Sequence, residues 1–428
     1  MPESRSTIPQ PTPIEDLPSP EMPASLQTLP PRLLRVTQVV ATGTLELAIV
    51  YKRTYQFGSA GSCQVADEQR PLAEEAKQHL PLTPEAAPSF SVLTEVVGYK
   101  NGTDLVVQAS ACSPRPVERM SVGVQIGKHQ HVARITGRRF CDFVDGKLIF
   151  TPPELFQEIP LRYENAYGGR DKAFEDRWLS EIDQTVPVEN LRKTRGVFTA
   201  LLSANHPLIY PRNRFGKGFI LDERRASIEG RELPNLERPD DLLTPEKAII
   251  ANPMHWSHQP IPVGFDYLDP LSFPRSAMLG IPPAFFDKWE SVAEVARGLI
   301  PNNFCRGNVF SRKPEDFVHV LHPSASRCAS LGLWLPFLNG DEEVVLSGMD
   351  ESLSQLRIHL PKERPDFIIP GSAHSAPSMK LELHLVALNV PKRLLELIWV
   401  GRIAQPQPLA PAQERELETA IQVKMKNF

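Results

Sequence analysis

The chain reads as mainly β (α+β), with short antiparallel strands in sandwich- or barrel-like layers, a few helices and many Pro-rich loops. Two observations predict this class. Short runs rich in β-branched and aromatic residues are separated by the turn dipeptides Asn101-Gly102, Gly127-Lys128 and Asp145-Gly146. Proline is the compositional outlier, with 43 among 428 residues, roughly twice the ordinary share. Proline is kept out of helix interiors and central strands, so the elements must be short and their connections stiff.

Taken in order, residues 1–31 hold nine prolines with Ser, Thr and Glu. Such a stretch buries too little apolar surface to offset its ordering entropy and reads as a disordered tail, either a passive leader or a docking tail. Leu33–Tyr55 predicts two strands around Thr42-Gly43. The segment PLAEEAKQHL within Asp67–Pro88 predicts one or two helical turns. Val92–Tyr99 and Asp104–Ala109 flank Asn101-Gly102 and predict a hairpin, since a type I′ turn needs positive φ at both central residues. Met120–Ile126, His131–Thr136 and Lys147–Thr151 continue a meander.

Asp171–Arg195 is dense in charge and reads as a surface loop with one short helix. Phe285, Trp289, Val292, Ala296 and Leu299 fall on one helical face within Pro283–Leu299. Leu338–Leu346 places an Asn-Gly turn between strands, and Leu356–Leu360, Lys380–Leu388 and Arg393–Arg402 are strand-like. Glu414–Lys426 predicts a terminal helix, acidic early and basic late. The expected organisation is a tail (1–31), an N-terminal β unit (32–170), a charged insertion (171–205), a second β-rich unit (206–403) and a linker with a terminal helix (404–428). The two β units are either separate or continuous.

Composition excludes some functions. A net charge of −4 gives no basic footprint for nucleic acid. No apolar run approaches the length of a membrane span. Cys63, Cys112, Cys141, Cys305 and Cys328 contain no C-x-x-C pair, which argues against a zinc ribbon. The first residues show no basic, apolar leader pattern, so the cytoplasm is the expected location. Gly216-Lys217-Gly218-Phe219 is not a phosphate loop, since Phe219 stands where Ser or Thr is needed.

Candidate chemistry is sparse. His129 and His131 share one face of a strand, as a metal pair or as an exposed polar face. His255 and His258 flank Trp256, and spacing suggests no third ligand for either pair. Cys141 and Cys305 are buried thiols or, with a distant His, nucleophiles. Glu164 is either a general acid or base, with Asp171 as a second acid, or an arginine partner that fixes a turn. No catalytic or metal-ligating set is assigned, and no cofactor is expected.

Three blocks, in order and spacing, carry a resemblance. They are Lys100-Asn101-Gly102-Thr103-Asp104, Gly137-Arg138-Arg139, and Pro160-Leu161-Arg162-Tyr163-Glu164-Asn165-Ala166-Tyr167-Gly168-Gly169 followed by Arg170. Tyr210-Pro211-Arg212-Asn213-Arg214-Phe215-Gly216-Lys217-Gly218 and the closing apolar run with Trp399 add to it. Together they resemble a large bacterial family named only as a domain of unknown function. Its genes lie beside type VI secretion spike and effector genes, often with PAAR and pentapeptide-repeat proteins. The resemblance runs over about residues 33–403, with gaps at 171–205 and 301–316, where Pro301–Phe310 departs from the family pattern.

What the resemblance implies is an adaptor or chaperone that binds an effector toxin and loads it onto a PAAR/VgrG-type spike protein. Lys100, Gly102, Asp104, Gly137, Arg138, Tyr163, Glu164, Tyr167, Gly168, Gly169, Arg170, Gly216, Gly218 and Trp399 are then the candidate partner-binding positions. A hydrolase built on Glu164, or a secreted spike-associated effector domain, are the alternatives.

Overall fold

The computed structural model describes residues 32–36, 45–84, 87–97, 102–185, 209–210, 212–249, 259–269, 333–369, 379–405 and 409–427. In chain order the strands are β1 (Arg32–Val36), β2 (Leu45–Phe57), β3 (Cys63–Val65), β4 (Lys77–Gln78), β5 (Phe90–Val92), β6 (Thr103–Gln108) and β7 (Ser110–Val117). Then come β8 (Arg119–Ile126), β9 (His129–Thr136), β10 (Cys141–Val144), β11 (Lys147–Phe150), β12 (Phe156–Pro160), β13 (Tyr167–Gly168), β14 (Lys217–Gly218) and β15 (Leu236–Glu237). The last are β16 (Leu333–Leu335), β17 (Glu343–Ser347), β18 (Gln355–His359), β19 (Glu363–Ile368), β20 (Lys380–Asn389), β21 (Leu394–Gln405) and β22 (Gln422–Asn427). The helices are α1 (Lys172–Thr185), α2 (Arg225–Ile228), α3 (Pro245–Ala248) and α4 (Pro411–Ala420). The chain is mainly β.

A seven-stranded sheet runs in the order β1-β2-β21-β20-β6-β16, with β3 also on β2. A five-stranded sheet runs β15-β9-β8-β17-β18. Side chains alternate across a strand, so one row of the large sheet, including Tyr55, Phe57, Leu105, Leu397 and Trp399, meets Val122, Val124, Ile135, Val344 and Ile358 of the smaller sheet in one core. The opposite row, with Ala48, Val50, Val106 and Val400, packs on Leu72, Phe90, Leu93 and Tyr267. This is a sandwich-like pair of layers. Both sheets draw strands from before and after residues 171–205.

Several expectations give way to longer-range pairing. The described part of Val92–Tyr99, residues 92–97, does not pair with the following strand: β5 ends at Val92 and pairs with β4, while β6 lies between β20, which is parallel to it, and β16. From Thr103 to Val107 β6 is buried on both faces, and such a strand needs two neighbours that a local turn cannot supply. The PLAEEAKQHL segment contains no helix and contributes β4. Asp171–Arg195 holds a fourteen-residue helix, α1, longer than the expected short one. The terminal helix stops at Ala420, and Gln422–Asn427 is a strand because Val423 and Met425 alternate with Lys424 and Lys426 against β19.

Asn339-Gly340 does separate two strands, but β16 and β17 belong to different sheets, so that turn is a crossover between layers. β7 was not anticipated: Pro114 and Pro116 argue against a strand, yet it pairs with β12 on one edge through a register shift. The tail 1–31, the Thr42-Gly43 turn, the Pro283–Leu299 helix, Lys100, His255, His258 and Cys305 lie outside the described residues.

Candidate functional site

The two longest motif blocks meet. β12 ends at Pro160, and Tyr163–Asn165 makes a single 3-10 turn whose Asn165 amide nitrogen donates to Pro160 O at 2.9 Å from its side chain. The chain then enters β13, which runs parallel to β14 of the second block. Lys217 N donates to Ala166 O at 3.0 Å and Phe219 N to Gly168 O at 3.2 Å. Gly169 N donates to Asn213 O at 2.8 Å, and Tyr210 N to Gly169 O at 2.9 Å. The Asn213 side-chain nitrogen donates to Tyr163 O at 2.8 Å and to Tyr167 O at 3.1 Å. Asn213 thus ties two carbonyls of the first block to the second.

Glycine is demanded here by contact as well as by φ. Gly168 has φ +145°, and a Cβ there would sit 2.1 Å from Asn213 O. A Cβ on Gly216 would sit 2.4 Å from Ala166 O. Side chains therefore cannot separate the two backbones.

Around this crossing the polar side chains are spent on internal bonds. Tyr167 donates its hydroxyl to Gln259 Oε1 at 2.9 Å and meets Tyr210 edge-on at 5.0 Å. Burial pushes the Tyr210 phenol up to about 12. Lys217 is lowered by burial and lies 2.6 Å from Glu232 Oε1 and 3.2 Å from Asn165 Oδ1. Tyr163 is buried, and its ring would be struck by a Cβ on Gly264.

Glu164 is buried and accepts from Ser89 N at 2.9 Å, from Ser89 Oγ at 2.6 Å, and from Arg162. Arg162 also donates to Leu80 O at 2.9 Å. The loop between β4 and β5 is gripped a second time where His79 Nε2 lies 2.6 Å from Asp266 Oδ2. Glu164 is thus paired with an arginine, and it braces a remote loop besides its own turn.

Asp171 caps α1, accepting from Phe174 N at 3.2 Å, and also accepts from Leu221 N at 2.8 Å, Asp222 N at 3.0 Å and Arg231. Glu164 and Asp171 hold different segments and share no partner among these bonds. Arg170 makes a two-pronged contact with Glu175 at 2.9 and 2.6 Å. Hydrogen bonds from Arg224, with the nearby Arg177 charge, hold Asp222 well below the usual carboxylate range.

The other candidate positions lie outside the two crossing strands, although Arg138 shares Glu232 with Lys217 of β14. Gly137 is built against Glu154, whose carbonyl oxygen a Cβ would meet at 1.8 Å. Arg138 is exposed, over the Phe140 ring at 4.9 Å and 3.5 Å from Glu232. Gly102 and Asp104 are buried at the start of β6. Trp399 is buried in the core between the two sheets.

His131 packs edge-on against Phe265 at 4.9 Å, with its Nε2 3.1 Å from Gly264 O, so it belongs to the wall of the core. Among the described residues no group of three or more His, Cys, Asp or Glu stands together as a metal site. Burial pushes the Cys141 thiol up to about 11, which removes thiolate character at neutral pH.

Sequence reasoning missed Ser89, Asn213, Gln259 and Gly264 as partners of the motif. Asn213 stood inside a quoted block, but its role depends on a contact 46 to 50 residues away. Nothing local marks Ser89, which reaches Glu164 across 75 residues.

No helix among the described residues is long and apolar enough to cross a membrane. No curated protein and no solved structure matches the chain. A bacterial family model, DUF2169, described as an uncharacterized protein conserved in bacteria, matches residues 42–400. That match takes in both motif blocks and the crossing they build, and the chain belongs to the DUF2169 family.

Proposed function

We propose that this protein is an adaptor or chaperone that binds a type VI secretion effector and presents it to a PAAR/VgrG-type spike protein. The link to secretion rests on the resemblance of the motif blocks. The observation that carries the choice of binding over turnover is the allocation of the motif's polar groups. Glu164 holds Ser89 and Arg162, Asp171 holds α1 and the 221–222 backbone, and Tyr167 holds Gln259. A hydrolytic pair needs two carboxyls converging on one substrate, whereas these two are engaged with separate segments. In this reading the motif is framework, and the partner meets the surface that the framework supports.

The test is an affinity pull-down of the tagged protein from its own cells with the secretion genes expressed, followed by mass spectrometry. Stoichiometric recovery of one toxin-like protein together with a spike component is the expected result. Recovery of the protein alone at gentle salt overturns the reading. Its own secretion-dependent appearance in the medium would instead favour a spike-associated effector domain.

A further inference from the structure

The five-stranded sheet buries one side in the core and turns the other outward. β8 pairs with β9 so that Met120 opposes Ile135 and Val122 opposes Ala133 on the inner side. The outer side then carries Arg119 opposite Thr136 and Ser121 opposite Arg134. β15 adds Glu237, opposite Arg134 on the same side. Arg119 and Arg134 are diagonal neighbours, about 7–8 Å apart in such a ladder. A third guanidinium arrives from beyond the end of β9, where Arg139 Nη2 donates to Glu237 Oε2 at 2.5 Å.

We propose that Arg119, Arg134 and Arg139 form a binding site for an oxyanion, a phosphate or carboxylate group held between guanidiniums on the outer side of β8 and β9.

The carboxylates at hand leave this cluster short of negative charge. Glu237 is buried, and both of its oxygens are engaged, one by Arg139 and the other by Leu243 N at 3.0 Å. Arg134 is half-buried and its charge acts on Glu237 through space, but it makes no hydrogen bond or ion pair with a described residue. Arg119 has its chain neighbour Glu118 at 3.3 Å, with both side chains about half exposed, a pairing that water weakens. Two buried polar atoms beside them also lack a hydrogen-bond partner among the described residues: Thr136 Oγ1, on the residue opposite Arg119, and Arg139 Nε.

Like charges gathered across strands repel one another. Burial lowers the Arg139 guanidinium from its ordinary value, Glu237 opposes that shift, and the Arg134 and Arg119 charges add to it. An oxyanion relieves the repulsion and accepts several N–H groups at once, since the planar arginine fork presents paired donors to two oxygens. Ser121, exposed and next to Arg119 along the outer side of β8, offers a hydroxyl to the same group. The inference stands apart from the adaptor reading.

The test is calorimetric titration of the full-length protein at fixed ionic strength with two probes, inorganic phosphate and a hexaglutamate peptide. The expected result is saturable binding of phosphate, of the peptide or of both, weakened about tenfold or more by Arg134→Gln and by Arg119→Gln. Arg225→Gln removes the same charge from the exposed Arg225–Glu229 pair and should leave binding unchanged. Arg134→Lys keeps the charge but loses the fork, and should bind with an affinity between those of the wild type and Arg134→Gln; thermal melting checks that each variant is folded. Phosphate binding assigns a phosphate-type ligand, whereas binding of the peptide alone assigns carboxylates carried by a protein segment. No saturation by either probe below about 10 mM, unchanged affinity in Arg134→Gln and Arg119→Gln, or an equal loss in Arg225→Gln overturns the proposal.

Discussion

Gly168 and Gly216 sit where two backbones cross with no room for a side chain. Gly168 needs both a positive φ, which costs an L-residue about 1–3 kcal/mol, and an empty Cβ position 2.1 Å from Asn213 O. Gly127 has φ +53° but open space around it. Gly168→Ala and Gly216→Ala are therefore expected to lose about 3 kcal/mol or more of unfolding free energy. Gly127→Ala should lose about 1 kcal/mol. Chemical denaturation checks this, and equal losses at all three sites would refute the steric account. The double glycine was legible in the sequence as a backbone that cannot carry side chains. What presses on it was not, because Asn213 and Gly216 reach the site from a block more than forty residues downstream.

At the scale of elements, Glu164 links the 3-10 turn to the loop between β4 and β5. Both of its oxygens are engaged, with Ser89 and Arg162 as donors, and Arg162 in turn holds Leu80 O. Glu164→Gln removes the charge that pairs Arg162 within a buried cluster, a change expected to cost about 3 kcal/mol or more. Hydrogen exchange should then rise at Ser89 and across residues 77–90 before it rises in β2 or β21. An exchange pattern that changes only at residues 160–170 would refute the bracing role. The same paired scale explains the failed local readings. The PLAEEAKQHL segment has helix-forming composition, but the chain there is recruited by β5 and Asp266. The last residues carry a dipole-favoured charge order, yet the period-two alternation of Val423 and Met425 won once β19 offered an edge.

Across the whole molecule, the long-range pairings close the chain on itself. β2 pairs with β21 over twelve residues, from Leu45↔Gln405 to Gln56↔Leu394. β6 is flanked by β20 and β16. Lys52 of β2 lies buried between Glu95 at 2.9 Å and Glu396 of β21 at 3.2 Å, so the pairing is also an ionic one. A fragment ending at Arg170 would leave β2 without β21, β6 without either neighbour, and Glu95 without Glu396's strand beside it. Such a fragment is expected not to fold, as read by near-ultraviolet circular dichroism and amide dispersion, while the full chain unfolds in one main transition. A dispersed, cooperatively melting fragment would refute this.

By itself the sequence determined the β class, the positions of strands such as β8, β9, β11, β18, β20 and β21, and the blocks that mark the family. It did so because alternation and turn chemistry act over a few residues and survive in any context. Tertiary structure alone decided which strands are neighbours, why the motif glycines are bare, and that Glu164 and Asp171 are structural partners of distant loops. Those outcomes depend on contacts across tens to hundreds of residues, where burial and pairing outweigh local propensity.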